Sequence, residues 1–107
     1  MKKRVVITGL GVVSPVGLSV KDFWDGLTSG KNGVDYITYF DTTNFKTKFA
    51  AQLKDFDPLN YLDRKLSNSV DAFTRYALIA SAEAVKDSGL DKDMAKLDTH
   101  RCGVIYG

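Results

Sequence analysis

The sequence predicts an α/β protein of 107 residues, one domain at most. Three observations predict it. Two short β-branched runs, residues 4–8 and 101–107, show no polar alternation and close on glycine. That is the pattern of strands buried on both faces in a parallel sheet. Between them lies a helix-period stretch that is apolar almost all round. The composition, 44% hydrophobic and 26% charged, is that of an ordinary globular chain.

The elements follow in order. Arg4-Val5-Val6-Ile7-Thr8 is the first strand, ending at Gly9. Pro15 and Gly17 mark a loop. Ser19 is a good helix N-cap, and Asp22 three residues on approximates a capping box. Val20, Phe23, Trp24 and Leu27 then fall on one apolar face, so Phe23 and Trp24 are expected in the core. Gly30 suits the position just past the helix end. Residues 34–40 read as irregular and aromatic-rich. From Phe45 to Leu53 apolar residues alternate with Lys46, Lys48, Ala50 and Gln52, which predicts a half-exposed antiparallel or edge strand. Asp57-Pro58 opens a short helical turn. A long helix is expected from Ser67 or Asn68 to Ser88, stopped by Gly89. Its Ala77, Ala80, Ser81 and Ala84 permit close backbone approach. Residues 91–98 are a polar connection, and residues 101–107 form the second buried strand.

Strands buried on both faces need covering layers. The residues after the last strand supply none, so layer accounting predicts the opening portion of a larger α/β protein.

Charge and inventory exclude several functions. The net charge of +2 is too small for nucleic-acid binding. No apolar run approaches the ~18–20 residues of a membrane span. The basic start Met1-Lys2-Lys3-Arg4 lacks the ~7–15-residue apolar core of a signal peptide, so a cytoplasmic protein is expected. One Cys and one His allow neither an internal disulfide nor a Cys/His zinc site.

Three motifs bear on function. Gly9-x-Gly11 after a strand invites a dinucleotide reading, but Ser14 and Pro15 follow where a third glycine is required, and the helix begins too late to meet a pyrophosphate. The glycines read instead as a tight strand exit. His100 and Cys102 would share a strand face; Cys102 reads as a small buried hydrophobe and His100 as a surface residue. Arg64-Lys65, with Lys46 and Lys48, reads either as a solvated basic face or as a surface for an acidic partner or phosphate.

The run Arg4-Val5-Val6-Ile7-Thr8-Gly9-Leu10-Gly11-Val12-Val13-Ser14-Pro15-Val16-Gly17 closely resembles the N-terminal signature of the β-ketoacyl-acyl-carrier-protein synthases, best in their synthase II branch. Phe23-Trp24, Gly30-x-x-Gly33-Val34, Phe40-Asp41-Thr42, Lys48-Phe49-Ala50, Asp71-x-Phe73-x-x-Tyr76-Ala77, Ala84-x-x-Asp87-Ser88-Gly89-Leu90 and Arg101-x-Gly103-Val104 continue the resemblance in order.

The resemblance implies a thiolase-like layered α/β/α/β/α fold, of which residues 1–107 form the N-terminal part of the first ketosynthase domain. It implies decarboxylative Claisen condensation in fatty acid elongation, with acyl carrier protein as partner and a homodimeric parent. The family's nucleophilic Cys and two His fall after this region, so no catalytic residue, metal or cofactor is expected here. The family docks acidic carrier protein through basic residues near the start of the long helix. Lys65 falls on such a position with Arg64 beside it, while Ser67, Asn68 and Ser69 stand where relatives are often basic. Two other readings remain: a non-catalytic homologue of chain-length-factor type, and a nucleotide-binding α/β domain.

Overall fold

The computed structural model describes residues 1–106. The first helix, α1, spans Val20–Thr28. Ser19 caps it as its sequence requires, its Oγ accepting from the Asp22 amide at 3.1 Å. Gly30 takes φ +72° just beyond the end, a conformation open to glycine at no steric cost. Strand β1 (Val34–Tyr36) pairs antiparallel with β2 (Phe49–Ala51), in the register Val34 to Ala51 and Tyr36 to Phe49. The period-two stretch thus yields its central three residues as strand. Its partner lies in the segment read from sequence as irregular.

A 3-10 turn, Pro58–Asn60, is capped by Asp57, whose carboxylate accepts from the Leu59 amide at 2.9 Å. The long helix is two helices. Helix α2 (Arg64–Ser69) ends at Val70, which is extended at φ −128°. Helix α3 then runs from Ala72 to Ser88, and Gly89 at φ +74° terminates it. Residues 90–101 continue as the short α4 (Leu90–Asp93) and two 3-10 turns, Met94–Lys96 and Thr99–Arg101.

The segment before α1 lies directly on α3. A Cβ on Gly9 would overlap the Ala84 carbonyl oxygen, and one on Gly11 the Ala80 carbonyl oxygen. The glycines are there for this approach, and the small residues of α3 are their counterpart. Carboxylates from α3 complete the join. Asp87 Oδ2 accepts from the Leu10 amide at 3.0 Å, and Glu83 Oε2 from the Val12 amide at 2.9 Å. The two amides are two residues apart, and their acceptors on α3 are four apart. Leu10 meets Asp87 and Val12 meets Glu83, about one turn earlier in α3, so the segment runs antiparallel to the helix.

Two predicted strands do not form among the described residues. Residues 4–8 pair with nothing, and Val5 is 94% exposed. Residues 102–106 are likewise unpaired, with Ile105 at 99%; Gly107 lies outside the described residues. A buried strand is made by its neighbours, and among the described residues no strand lies alongside either run. Trp24, expected in the core, is 62% exposed, and Cys102, expected buried, is exposed beside a 3-10 turn.

The buried interior is correspondingly thin. Ile79 is the one buried large apolar residue among those described, while Phe73 of the same helix is 72% exposed. The accessible surface is 9106 Å². A compact protein of 11.8 kDa exposes about 5,900 Å², so roughly 3,000 Å² is left uncovered by this chain. The radius of gyration, 17.4 Å, exceeds the ~13 Å of a compact domain of this length.

Candidate functional site

Arg64 and Lys65 form the first two positions of α2, and both are exposed. Neither joins an ion pair among the described residues. Asp63 caps the helix, its Oδ1 accepting from the Leu66 amide at 2.9 Å. Cations at a helix start oppose the macrodipole, whose positive end lies there. These two side chains therefore do not serve the stability of α2; they present charge outward.

Lys46 and Lys48, grouped with them in the sequence, do not act alike. Lys48 Nζ donates back to the carbonyls of Thr42 at 3.5 Å and Thr43 at 3.3 Å, bracing its own loop. Lys46 remains exposed.

One contact holds the chain just before α2, and another holds α2 itself. Before α2, Phe56 stacks on Tyr61 at 6.0 Å and meets Tyr76 of α3 edge-on at 5.5 Å, which joins the chain leading into α2 to α3. Burial raises the Tyr76 phenol above its ordinary pKa of 10.0, and the nearby Tyr39 adds to the shift. On the C-terminal side Arg75 of α3 donates from Nε to the Ser67 carbonyl at 2.8 Å. Ser67 is 2% exposed. Arg64, Ser67, Asn68 and Arg75 line one open cleft beside the Pro58–Asn60 turn.

Sequence reasoning missed Arg75. Its signal was present: it is the one charged residue between Ala72 and Ala82, a stretch otherwise suited to burial. Glu83 was missed too. It bridges two separate segments, Oε2 to the Val12 amide and Oε1 to the Val20 amide, both at 2.9 Å.

His100 and Cys102 form no nucleophile–base pair. Cys102 Sγ donates to the Asp98 carbonyl at 3.4 Å, and both residues are exposed. The glycines at 9 and 11 face α3 rather than an open phosphate cradle. Among the described residues no group of three or more His, Cys, Asp or Glu could hold a metal ion, and no helix is long and apolar enough to cross a membrane.

An α/β chain with glycines packed onto a small-residue helix, and a short basic helix at that helix's start, agrees with the condensing-enzyme resemblance. The chain belongs to the beta-ketoacyl synthase family: the family profile described as "Beta-ketoacyl synthase, N-terminal domain" matches residues 2–107. Among curated proteins it is 46% identical over 106 residues to 3-oxoacyl-(acyl-carrier-protein) synthase 2 of Coxiella burnetii, covering 99% of this chain and 25% of that protein. It is 44% identical over 105 residues to the protein of the same name from Staphylococcus aureus strain COL, covering 98% and 25%. The chain thus spans about a quarter of the length of the curated relatives it matches. A solved structure of the ishigamide ketosynthase/chain length factor superimposes with a TM-score of 0.73 at 35% identity, over 82% of this chain and 22% of that one.

Proposed function

We propose that this chain is the N-terminal part of a 3-oxoacyl-acyl-carrier-protein synthase acting in fatty acid elongation. The observation that carries the reading is the 41–46% identity to synthases of that name across nearly the whole chain. The roughly 3,000 Å² of surplus surface supports it: it lies on this chain alone, whereas obligate partners bury about 2,000–5,000 Å² counted over both sides, so the surplus is of obligate-interface size or larger. On this reading residues 1–107 open a thiolase-like layered α/β/α/β/α domain. The apolar faces of α1 and α3 and the runs at 5–7 and 104–106 are covered by polypeptide of the parent, a cytoplasmic homodimer.

The reaction is a decarboxylative Claisen condensation. A Cys thiolate of the parent attacks the acyl thioester, and the carrier-protein thiol leaves. Malonyl-carrier protein loses carbon dioxide, and the carbanion so formed attacks the enzyme-bound thioester. The Cys thiolate departs and 3-oxoacyl-carrier protein is released. A helix N-terminus keeps that Cys ionised, and two His stabilise the charge developing on the malonyl thioester. None of these groups belongs to residues 1–107. This chain's part is the framework and, through Arg64 and Lys65, docking of the acidic carrier protein.

The test is condensation by the full-length polypeptide, followed as carbon dioxide release and 3-oxoacyl product from acyl- and malonyl-carrier protein. Lys65→Ala is expected to raise KM for carrier-protein substrates severalfold with kcat little changed, as loss of binding common to ground and transition states requires. No condensation by the full-length polypeptide on its own defeats the reading. A second reading, a non-catalytic chain-length-factor type, comes from the ishigamide ketosynthase/chain length factor, whose name covers both kinds of chain; the synthase relatives favour the first reading. It predicts no activity alone, activity with a separate ketosynthase, and a residue other than Cys at the nucleophile position.

A further inference from the structure

We propose that Arg75 is a positioning residue. By holding the Ser67 carbonyl it fixes the short helix α2, and with it the way the Arg64 and Lys65 cations are presented to an acidic carrier protein. The inference rests on the docking reading above.

Helix α2 has six residues. Helices shorter than about 12 residues are marginal without tertiary support. Its first turn carries two cations, the wrong sign for a helix start, so the helix is weakened where docking would need it. Its other side-chain bonds are local: Asp63 to the Leu66 amide, and Ser69 Oγ to the Leu66 carbonyl at 2.9 Å.

The Ser67 carbonyl needs a partner for a definite reason. In a continuous helix it would accept from the amide of residue 71. Val70 is extended, so that bond is absent and the oxygen is one of the orphan acceptors of a helix end. Ser67 is also buried. Arg75 Nε supplies the donor at 2.8 Å and sets a positive charge at the negative end of α2. The Arg75 backbone amide meanwhile donates to the Asp71 carbonyl at 3.0 Å in the first turn of α3. One residue thus spans the break between the two helices and fixes it as a joint.

The test uses the full-length polypeptide, with holo acyl carrier protein as the binding probe and amide hydrogen exchange as the second readout. Gln Nε2 stands the same number of bonds from Cα as Arg Nε. Arg75→Gln therefore keeps the donor and removes the charge, whereas Arg75→Ala removes both. Arg75→Ala is expected to weaken carrier binding about fivefold and to speed exchange of the Asn68 and Ser69 amides about tenfold. Arg75→Gln is expected to stay within about twofold of the parent in both. Lys65→Ala is expected to weaken binding and flatten its salt dependence without changing exchange in α2.

Unchanged exchange in Arg75→Ala overturns the positioning role, as does Arg75→Gln binding as poorly as Arg75→Ala with exchange intact, since that outcome makes Arg75 a direct charge contact. Unchanged binding in both Arg64→Ala and Lys65→Ala defeats the docking reading instead. The hold of Arg75 on α2 is then decided by exchange alone.

Discussion

Glu83 of α3 accepts from the Val20 amide, the first helical amide of α1, at 2.9 Å. The residues are 63 apart in sequence, and the second oxygen of the same carboxylate binds the Val12 amide. One side chain therefore caps a helix and clamps the glycine-bearing segment before it. Ser19 satisfies one orphan amide of α1, and Glu83 satisfies another.

Glu83→Ala is expected to destabilise the folded protein by about 2–4 kcal/mol, because two part-buried amides lose a charged acceptor together. Glu83→Gln should lose about half as much, since its single oxygen serves one amide and its NH₂ group faces the other. Chemical denaturation of the full-length polypeptide checks the order Ala, Gln, parent. Equal losses for the two variants would show that packing of the stem, not the paired acceptance, carries the effect.

Gly11→Ala places a Cβ against the Ala80 carbonyl oxygen, a backbone atom that cannot swing aside. A loss of about 1–3 kcal/mol is expected, as for other overpacked sites. Gly103→Ala is the control, because nothing among the described residues lies within 4 Å of its added Cβ. Melting temperatures of the two variants should differ clearly, with Gly103→Ala near the parent.

Ser19→Ala removes the N-cap acceptor of α1 and should cost about 1 kcal/mol. Ser19→Asp should restore it, because the new carboxylate both caps and complements the helix dipole. Thermal unfolding of the pair reads the difference.

Lys54 Nζ lies 2.5 Å from Asp35 Oδ2 beside the two-stranded sheet. This hydrogen bond, the Tyr36 amide and the lysine charge hold the Asp35 carboxyl below its ordinary pKa of 3.8. The folded value is depressed, so the contribution is fully present above the unfolded value and fades as pH falls through the folded one. Lys54→Gln should move the Asp35 carboxyl titration upward, followed by the carbon-13 shift of its carboxyl group. High salt should shrink the difference, since both groups are about half exposed.

What was legible in the sequence was local. Ser19, Gly30, Asp57-Pro58 and Gly89 mark their turns and helix ends through chemistry within four residues, and each stands where expected. The break at Val70-Asp71 was not legible, because no Gly or Pro announces it. Nor was β1: three residues are too few to display a period, and its pairing with β2 bridges a loop. The runs at 4–8 and 102–106 have strand composition, but a ladder needs a neighbour that composition cannot supply. Arg64 and Lys65 stand out as a basic pair from the residues alone, and only the family resemblance gives them a docking role. Arg75, which holds their helix, was hidden because its partner is a backbone oxygen, which any residue would offer.

The carboxylates on Leu10 and Val12 have one more effect. Bare strand margins invite other chains to add on, and proteins guard them with charge. Asp87 and Glu83 occupy the Leu10 and Val12 amides, the groups an intruding chain would seek on this unpaired segment. The guard stops at Leu10. Val5, Val6 and Ile7 have none, and neither have Val104, Ile105 and Tyr106, so aggregation of the isolated polypeptide should begin at these two greasy runs.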